Sequence, residues 1–197
     1  RDGQAVVDLL LTFWQWTLFV ILVLVGYVFS RFDGQGDYRV GFKTEEMPHM
    51  KPIPIETKDK GFWRGIIMWL LSVRKWELCD NFYYTLEDKE YMIPKGFQFD
   101  GASVPKFLAM WLSPTGVLLM GGLIHDYGYK YATLMTKDYN NIGYTDQAHM
   151  DKLFRDISIE VNGFKFLNYL AYWALAAVGF FAWNKHKKNG THLEKDA

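Results

Sequence analysis

The 197-residue chain carries 22 basic and 22 acidic side chains, so its formal charge at neutral pH is zero. That balance gives no electrostatic case for nucleic acid, whose binding rests on clustered Lys and Arg. One cysteine, Cys79, allows neither an intrachain disulfide nor a cysteine-based zinc site, and eight Trp within 18% aromatics suit a protein living against lipid headgroups.

Leu9 to Val28 reads LLLTFWQWTLFVILVLVGYV and holds no charged residue. At the helical rise this run covers about 30 Å, the thickness of a hydrocarbon core. Trp14 and Trp16 flank one end and Tyr27 the other, where interfacial aromatics belong. A cleaved signal peptide would show a small-x-small site after its apolar stretch, and Val28-Phe29-Ser30-Arg31-Phe32 is a poor one. Residues 1–32 are therefore expected to form a retained anchor, although the start at Arg1 rather than Met leaves room for upstream sequence. Arg31, Arg39 and Lys43 follow the span while Arg1 beside Asp2 precedes it, which places the C-terminal domain in the cytoplasm.

Residues 33–75 read as a linker rich in Gly and Pro, then an amphipathic helix from Phe62 to Trp76. Its apolar Phe62, Ile66, Trp69, Leu70 and Val73 suit either a membrane surface or an ordinary core. A hairpin follows between Trp76 and Ile93, turning at Glu87-Asp88-Lys89-Glu90, and Pro94-Lys95-Gly96 ends it. A helix is expected from Val117 to Tyr131, then a polar loop through Lys137, Asn140 and Gly143. The next helix starts near Thr145 as N-cap and stops at Asn162-Gly163. Phe164 to Trp183 is apolar apart from Lys165 and Asn168; it is expected to be a domain helix, with a second span as the alternative. Residues 185–197 read as a charged, disordered tail. The fold class is thus mostly α with a short β-hairpin, the domain occupying residues 76–184.

The segment that could carry chemistry is His125-Asp126-x-x-Tyr129. On a helix, His125 and Tyr129 share a face and Asp126 adjoins Tyr129, which sets a group titrating near neutrality beside a hard oxygen ligand. Asp100 sits in a turn with Gly101, where a carboxylate and turned carbonyls could join Asp126 around calcium. Asp151 borders the apolar stripe Met150, Leu153, Phe154 and Ile157, from which it could reach His125 and fix its tautomer. A satisfied core His–Asp pair explains the same residues without catalysis. Metal-dependent phosphohydrolase chemistry would need further histidines, and His49 and His149 do not complete such a set.

The run Phe99-Asp100-Gly101-Ala102-Ser103-Val104-Pro105, then Ser113-Pro114, Leu123-Ile124-His125-Asp126-x-x-Tyr129 and Asp151-x-x-Phe154, resembles an uncharacterised family common in phages and prophages. The same landmarks look like bacterial and viral phospholipase A2, whose helix bears His-Asp-x-x-Tyr. The resemblance implies a pair of antiparallel helices. His125 would act as general base and Asp126 as calcium ligand, with Asp100 and the Gly101 carbonyl completing the ion's site. Asp151 would orient His125, with Asp146 as its rival, and Tyr129 would support the pair. The final apolar helix, with Ala177-Val178-Gly179-Phe180, would belong to the domain. The function expected is calcium-dependent hydrolysis of phospholipid acyl esters, with the bilayer as partner. The alternative is a non-enzymatic phage-type protein of a larger membrane or virion assembly; peptidoglycan hydrolysis lacks the usual zinc histidines.

Overall fold

A computed structural model describes residues 3, 12–32, 39–54, 60–71, 75–99, 118–139, 141–142 and 145–192. In chain order the elements are α1 (Trp14–Phe32), β1 (Met50–Pro52), α2 (Phe62–Leu71), β2 (Trp76–Leu78), β3 (Phe82–Leu86) and β4 (Lys89–Ile93). There follow β5 (Gln98–Phe99), α3 (Leu119–Tyr131), β6 (Leu134–Thr136), β7 (Asn141–Ile142), α4 (Gln147–Asn162) and α5 (Lys165–Lys188). The strands form two small antiparallel sheets, ordered β1-β2-β5 and β3-β4-β6-β7.

The β3–β4 hairpin is tighter than expected. Glu87 and Asp88 both take positive φ, 47° and 62°, so two residues turn the chain and Lys89 and Glu90 already pair with Leu86 and Thr85. Positive φ at both central positions matches the turn twist to the strand twist. Phe82, Tyr84 and Leu86 point inward and Tyr83 outward, the alternation of a half-buried strand. Inside, Phe82, Tyr84 and Tyr91 stack in series, at 5.8 and 5.5 Å between rings.

Three expectations are corrected here. Trp76 to Leu78 belongs not to the hairpin but to the other sheet, where Trp76 pairs with Pro52 and Phe99. The amphipathic helix is described to Leu71, and Trp76 is already strand. The polar loop after α3 contains the paired strands β6 and β7. Strands of two or three residues are too short to show a period of two, so pairing with distant partners decides them.

Helices α3 and α4 run antiparallel. Gly121 lies on Ser158 and Phe154 of α4, His125 on Phe154 and Asp151, and Gly128 on Met150, so ascending one helix descends the other. A Cβ on Gly121 would strike Ser158 Oγ and stand 2.8 Å from the Phe154 carbonyl. The absent side chain is what lets the backbones come this close. Helix α4 is capped by Asp146, not Thr145: the Asp146 carboxylate accepts from the His149 N–H at 2.7 Å, while the Thr145 N–H bonds back to the Ala132 carbonyl. Gly163, at φ 72°, closes the helix where Asn162-Gly163 was expected to stop it.

Helix α5 extends five residues beyond the expected Trp183 to Lys188, through part of what reads as tail, and the chain stays ordered against the domain as far as His192. Asn168, Ala171, Leu175, Gly179 and Trp183 form one buried stripe along it. Helix α1 packs on α5 where Gly26 meets the Leu170 side chain and the Phe166 carbonyl, and Leu22 joins the cluster of Leu118, Phe154, Ala171 and Leu175. Among the described residues α5 is the helix long and apolar enough to cross a membrane by length and composition; the apolar part of α1, Trp16–Val28, is shorter. Leu9 to Leu11, the start of the expected anchor, lie outside the described residues.

Candidate functional site

The α3–α4 interface is largely apolar; Ser158 faces Gly121 near one end, and further along His125, Tyr129 and Asp151 meet. All three are buried, at 1%, 4% and 2% exposure. His125 Nε2 lies 2.9 Å from Asp151 Oδ1, and the Tyr129 hydroxyl donates to the same oxygen at 2.5 Å. Gln147 Nε2 approaches the other carboxylate oxygen at 3.4 Å. An ionised carboxylate only accepts, so Nε2 carries the proton and Nδ1 keeps a lone pair.

Each element supplies its part through helical geometry. Four residues separate His125 from Tyr129, which brings their rings within 4.0 Å, tilted by 33°, on the face of α3 turned to α4. Asp151 sits one turn before Phe154 and Arg155 on α4 and is the carboxylate at that level. Asp146, the rival orienting group, is exposed and engaged as the cap of α4. Phe154 closes the other side of the imidazole edge-on at 5.6 Å. From α5, Trp183 packs edge-on against Tyr129 at 5.2 Å, and Gly179 lies so near the Tyr129 hydroxyl that no side chain would fit between.

On the opposite side of the ring, His125 Nδ1 is 3.5 Å from Asp126 Oδ1. Burial is the largest influence on His125 and disfavours its charge, but hydrogen bonds and charge from Asp126 and Asp151 together outweigh it, so its pKa is raised. Burial, reinforced by the bond to Asp151, raises the Tyr129 phenol so far that it stays protonated and remains a donor. The cluster is therefore a base with its tautomer fixed from one side and a carboxylate on the other.

Calcium takes six to eight oxygens. Asp126 offers one carboxylate beside His125, and no group of three or more His, Cys, Asp or Glu forms a metal cluster among the described residues. Asp100 and Gly101, the remaining expected ligands, lie outside the described residues, as do Ala102 to Pro105 and Ser113-Pro114. The described donors do not by themselves fit the ion. His49 pairs with Asp80 at 3.4 Å on an exposed loop, and His149 is exposed at the start of α4. Two cavities open elsewhere: one of 650 Å³ between residues 43–49 and β3, one of 540 Å³ beside Phe42, Leu119 and Val161. His125 lines neither.

Sequence reasoning missed Gln147, and it missed Gly179 as a contact of the site. A Gln four residues before Asp151 shares its face, which is a usable signal; the Gly179 contact depends on how α5 docks and has none.

The fold and site define a small α+β domain whose helices enclose a His–Asp–Tyr cluster. Residues 76–175 match the family described as Protein of unknown function (DUF1353), and the chain belongs to that family. No curated protein and no solved structure matches the chain.

Proposed function

We propose that this protein is a membrane-anchored hydrolase of phospholipid acyl esters, with His125 as general base. The observation that carries the reading is the single Asp151 oxygen that accepts from both His125 and Tyr129, leaving Nδ1, on the side of Asp126, as the basic atom of the imidazole. His125 takes a proton at Nδ1 from a water whose oxygen attacks the ester carbonyl; the imidazolium, stabilised by the Asp151 carboxylate, then returns the proton to the alcohol oxygen that leaves as the acyl C–O bond breaks. Tyr129 holds that carboxylate in place. Bound calcium, with Asp126, Asp100 and Gly101 as ligands, would supply charge for the oxyanion. The antiparallel α3–α4 pair with His-Asp-x-x-Tyr on one helix and Asp on the other resembles the phospholipase A2 arrangement. Helix α1, as part of the apolar run Leu9 to Val28, is proposed as the anchor, with the domain on the cytoplasmic side.

The test is fatty-acid release from phospholipid vesicles, with and without calcium. Full release by His125→Ala or Asp126→Ala sinks the proposal. Release that ignores calcium removes the ion from it and leaves the base.

A second reading draws on the burial of His125, 1% exposed: the cluster is a structural pair in a non-enzymatic membrane or virion-assembly protein of phage type. That reading expects no ester hydrolysis by the parent chain and loss of folding in His125→Gln.

A further inference from the structure

Helix α5 has 24 residues, about 36 Å at the helical rise, and its apolar character suffices for a bilayer. Its packing points another way. At its start, Asn162 Oδ1 accepts from the Asn168 side chain at 2.7 Å and from the Phe164 N–H at 2.9 Å. Past its end, His192 Nε2 donates to the Tyr129 carbonyl at 3.1 Å, and Trp183 packs on both His192 and Tyr129. The domain therefore holds α5 at both ends and along the stripe between them. Midway, Arg155 lies over the rings of Tyr169 and Tyr172 at 4.9 and 5.1 Å, next to Asp156. A crossing α5 would tear one end from the domain or draw Arg155, Asp156, Asp151 and His125 into hydrocarbon. Ionised groups are costly there and are rarely found without a water-filled path.

The face turned away from that stripe is apolar and exposed. Trp173, Ala177 and Phe180 share it by helical spacing, with exposures of 36% for Trp173, 54% for Phe180 and 70% for the adjacent Phe181. Leu170 and Phe166 stand on the same side one and two turns earlier, where Gly26 of α1 meets the Leu170 side chain and the Phe166 carbonyl. The exposed part thus continues directly from the contact with the apolar α1. At its C-terminal end α5 carries exposed Lys185, Lys187 and Lys188. Near an anionic membrane surface such charges are drawn to the lipid headgroups. An apolar face bearing an interfacial Trp, with a basic end, is the pattern of a helix lying in the plane of an interface.

We infer that α5 does not cross the bilayer but lies along an anionic phospholipid surface, its Trp173–Phe180–Phe181 face in the boundary between acyl chains and headgroups. The inference rests on packing and charge and stands whether or not the chain hydrolyses lipid. It places Lys188 on the same side of the membrane as α3 and α4. It also sets the His125–Asp151 level one helix layer from lipid, because Gly179 touches Tyr129 while the next two residues face outward.

The experiment uses the full chain reconstituted in phosphatidylcholine–phosphatidylglycerol vesicles, in a Cys79→Ser background. Phe181→Cys is labelled with an environment-sensitive fluorophore and quenched by lipids spin-labelled at shallow or deep positions. Stronger loss of fluorescence with the shallow label is expected. Stronger loss with the deep label means crossing, and no loss with either means that protein covers the face; both overturn the inference. Lys152→Cys on α4 and Lys187→Cys, both exposed, give an independent reading with an impermeant maleimide. Equal labelled fractions in intact vesicles are expected, and one site reacting only after detergent overturns the inference.

Discussion

Two helix pairs in this molecule are joined alike and finished oppositely. In α3–α4 and in α1–α5 a glycine brings the backbones together, Gly121 against Phe154 and Gly26 against Phe166 and Leu170. The first pair buries polar side chains that bond to one another, His125, Tyr129 and Asp151, inside an apolar contact. The second leaves apolar side chains outside: Val20, Ile21, Leu24 and Val25 of α1, and Phe180 and Phe181 of α5. Polarity is thus inverted between the two layers. A buried polar set is kept only if its members satisfy one another, and a bare apolar face is stable only against an apolar medium. The difference separates where chemistry can occur from where the protein can dock.

The sharpest way to break the first half of that contrast is Asp151→Ala. It strands the Nε2–H of His125 and the Tyr129 hydroxyl without an acceptor, so unfolding free energy should fall by about 3 kcal/mol or more, read from the denaturant midpoint. Ester release should vanish with it. Gly121→Ala tests the close approach itself. Its methyl meets Ser158 Oγ and the Phe154 carbonyl, and a loss of about 2 kcal/mol is expected, measured the same way. Tyr129→Phe removes one donor from Asp151 and keeps the ring against Trp183; about 1 kcal/mol should be lost. Hydrolysis should fall less than in His125→Ala.

Alkaline titration probes the aromatic core beneath α3. Burial raises Tyr84 well above its ordinary 10 and Tyr127 to about 12. A phenol held protonated in the fold and ionising at 10 when unfolded stabilises the fold fully below pH 10. That contribution is lost as pH climbs towards the folded values, through about 12 for Tyr127. A thermal midpoint that stays flat to pH 10 and then declines is the expected outcome. The smallest effect belongs to the outer pair: Phe181→Ser should alter stability in detergent-free water by no more than about 0.5 kcal/mol, because Phe181 packs against little of the domain. It should nonetheless weaken the association of α5 with anionic vesicles. A large loss of stability would show that protein, not lipid, covers that face.

Much of the helical frame was legible in the residues. Helix α3 ends at Tyr131 as expected and begins at Leu119 rather than Val117, and α4 stops at Gly163, which takes the left-handed cap without strain. The meeting of His125 with Tyr129 follows from a four-residue spacing. The choice of Asp151 over Asp146 did not. Both carboxylates lie near the start of one helix, and only the antiparallel packing of α3 and α4 turns one inward and leaves the other to cap.

The sheets show the same limit from the other side. The β3–β4 hairpin is local, and its alternating Phe82, Tyr84 and Leu86 announce it. Strands β1, β2, β5, β6 and β7 hold two or three residues each, and their identity comes from partners far along the chain, as Trp76 shows by pairing with Phe99. The sequence by itself determined which segments are apolar, which spacing places a histidine above a tyrosine, and that α5 is long enough to cross a bilayer. The tertiary structure decided what those segments touch. Holding α5 to the domain at Asn162 and again at Tyr129 turns a span by length into a helix with one exposed face, because contacts made at both ends cannot lie on opposite sides of a membrane.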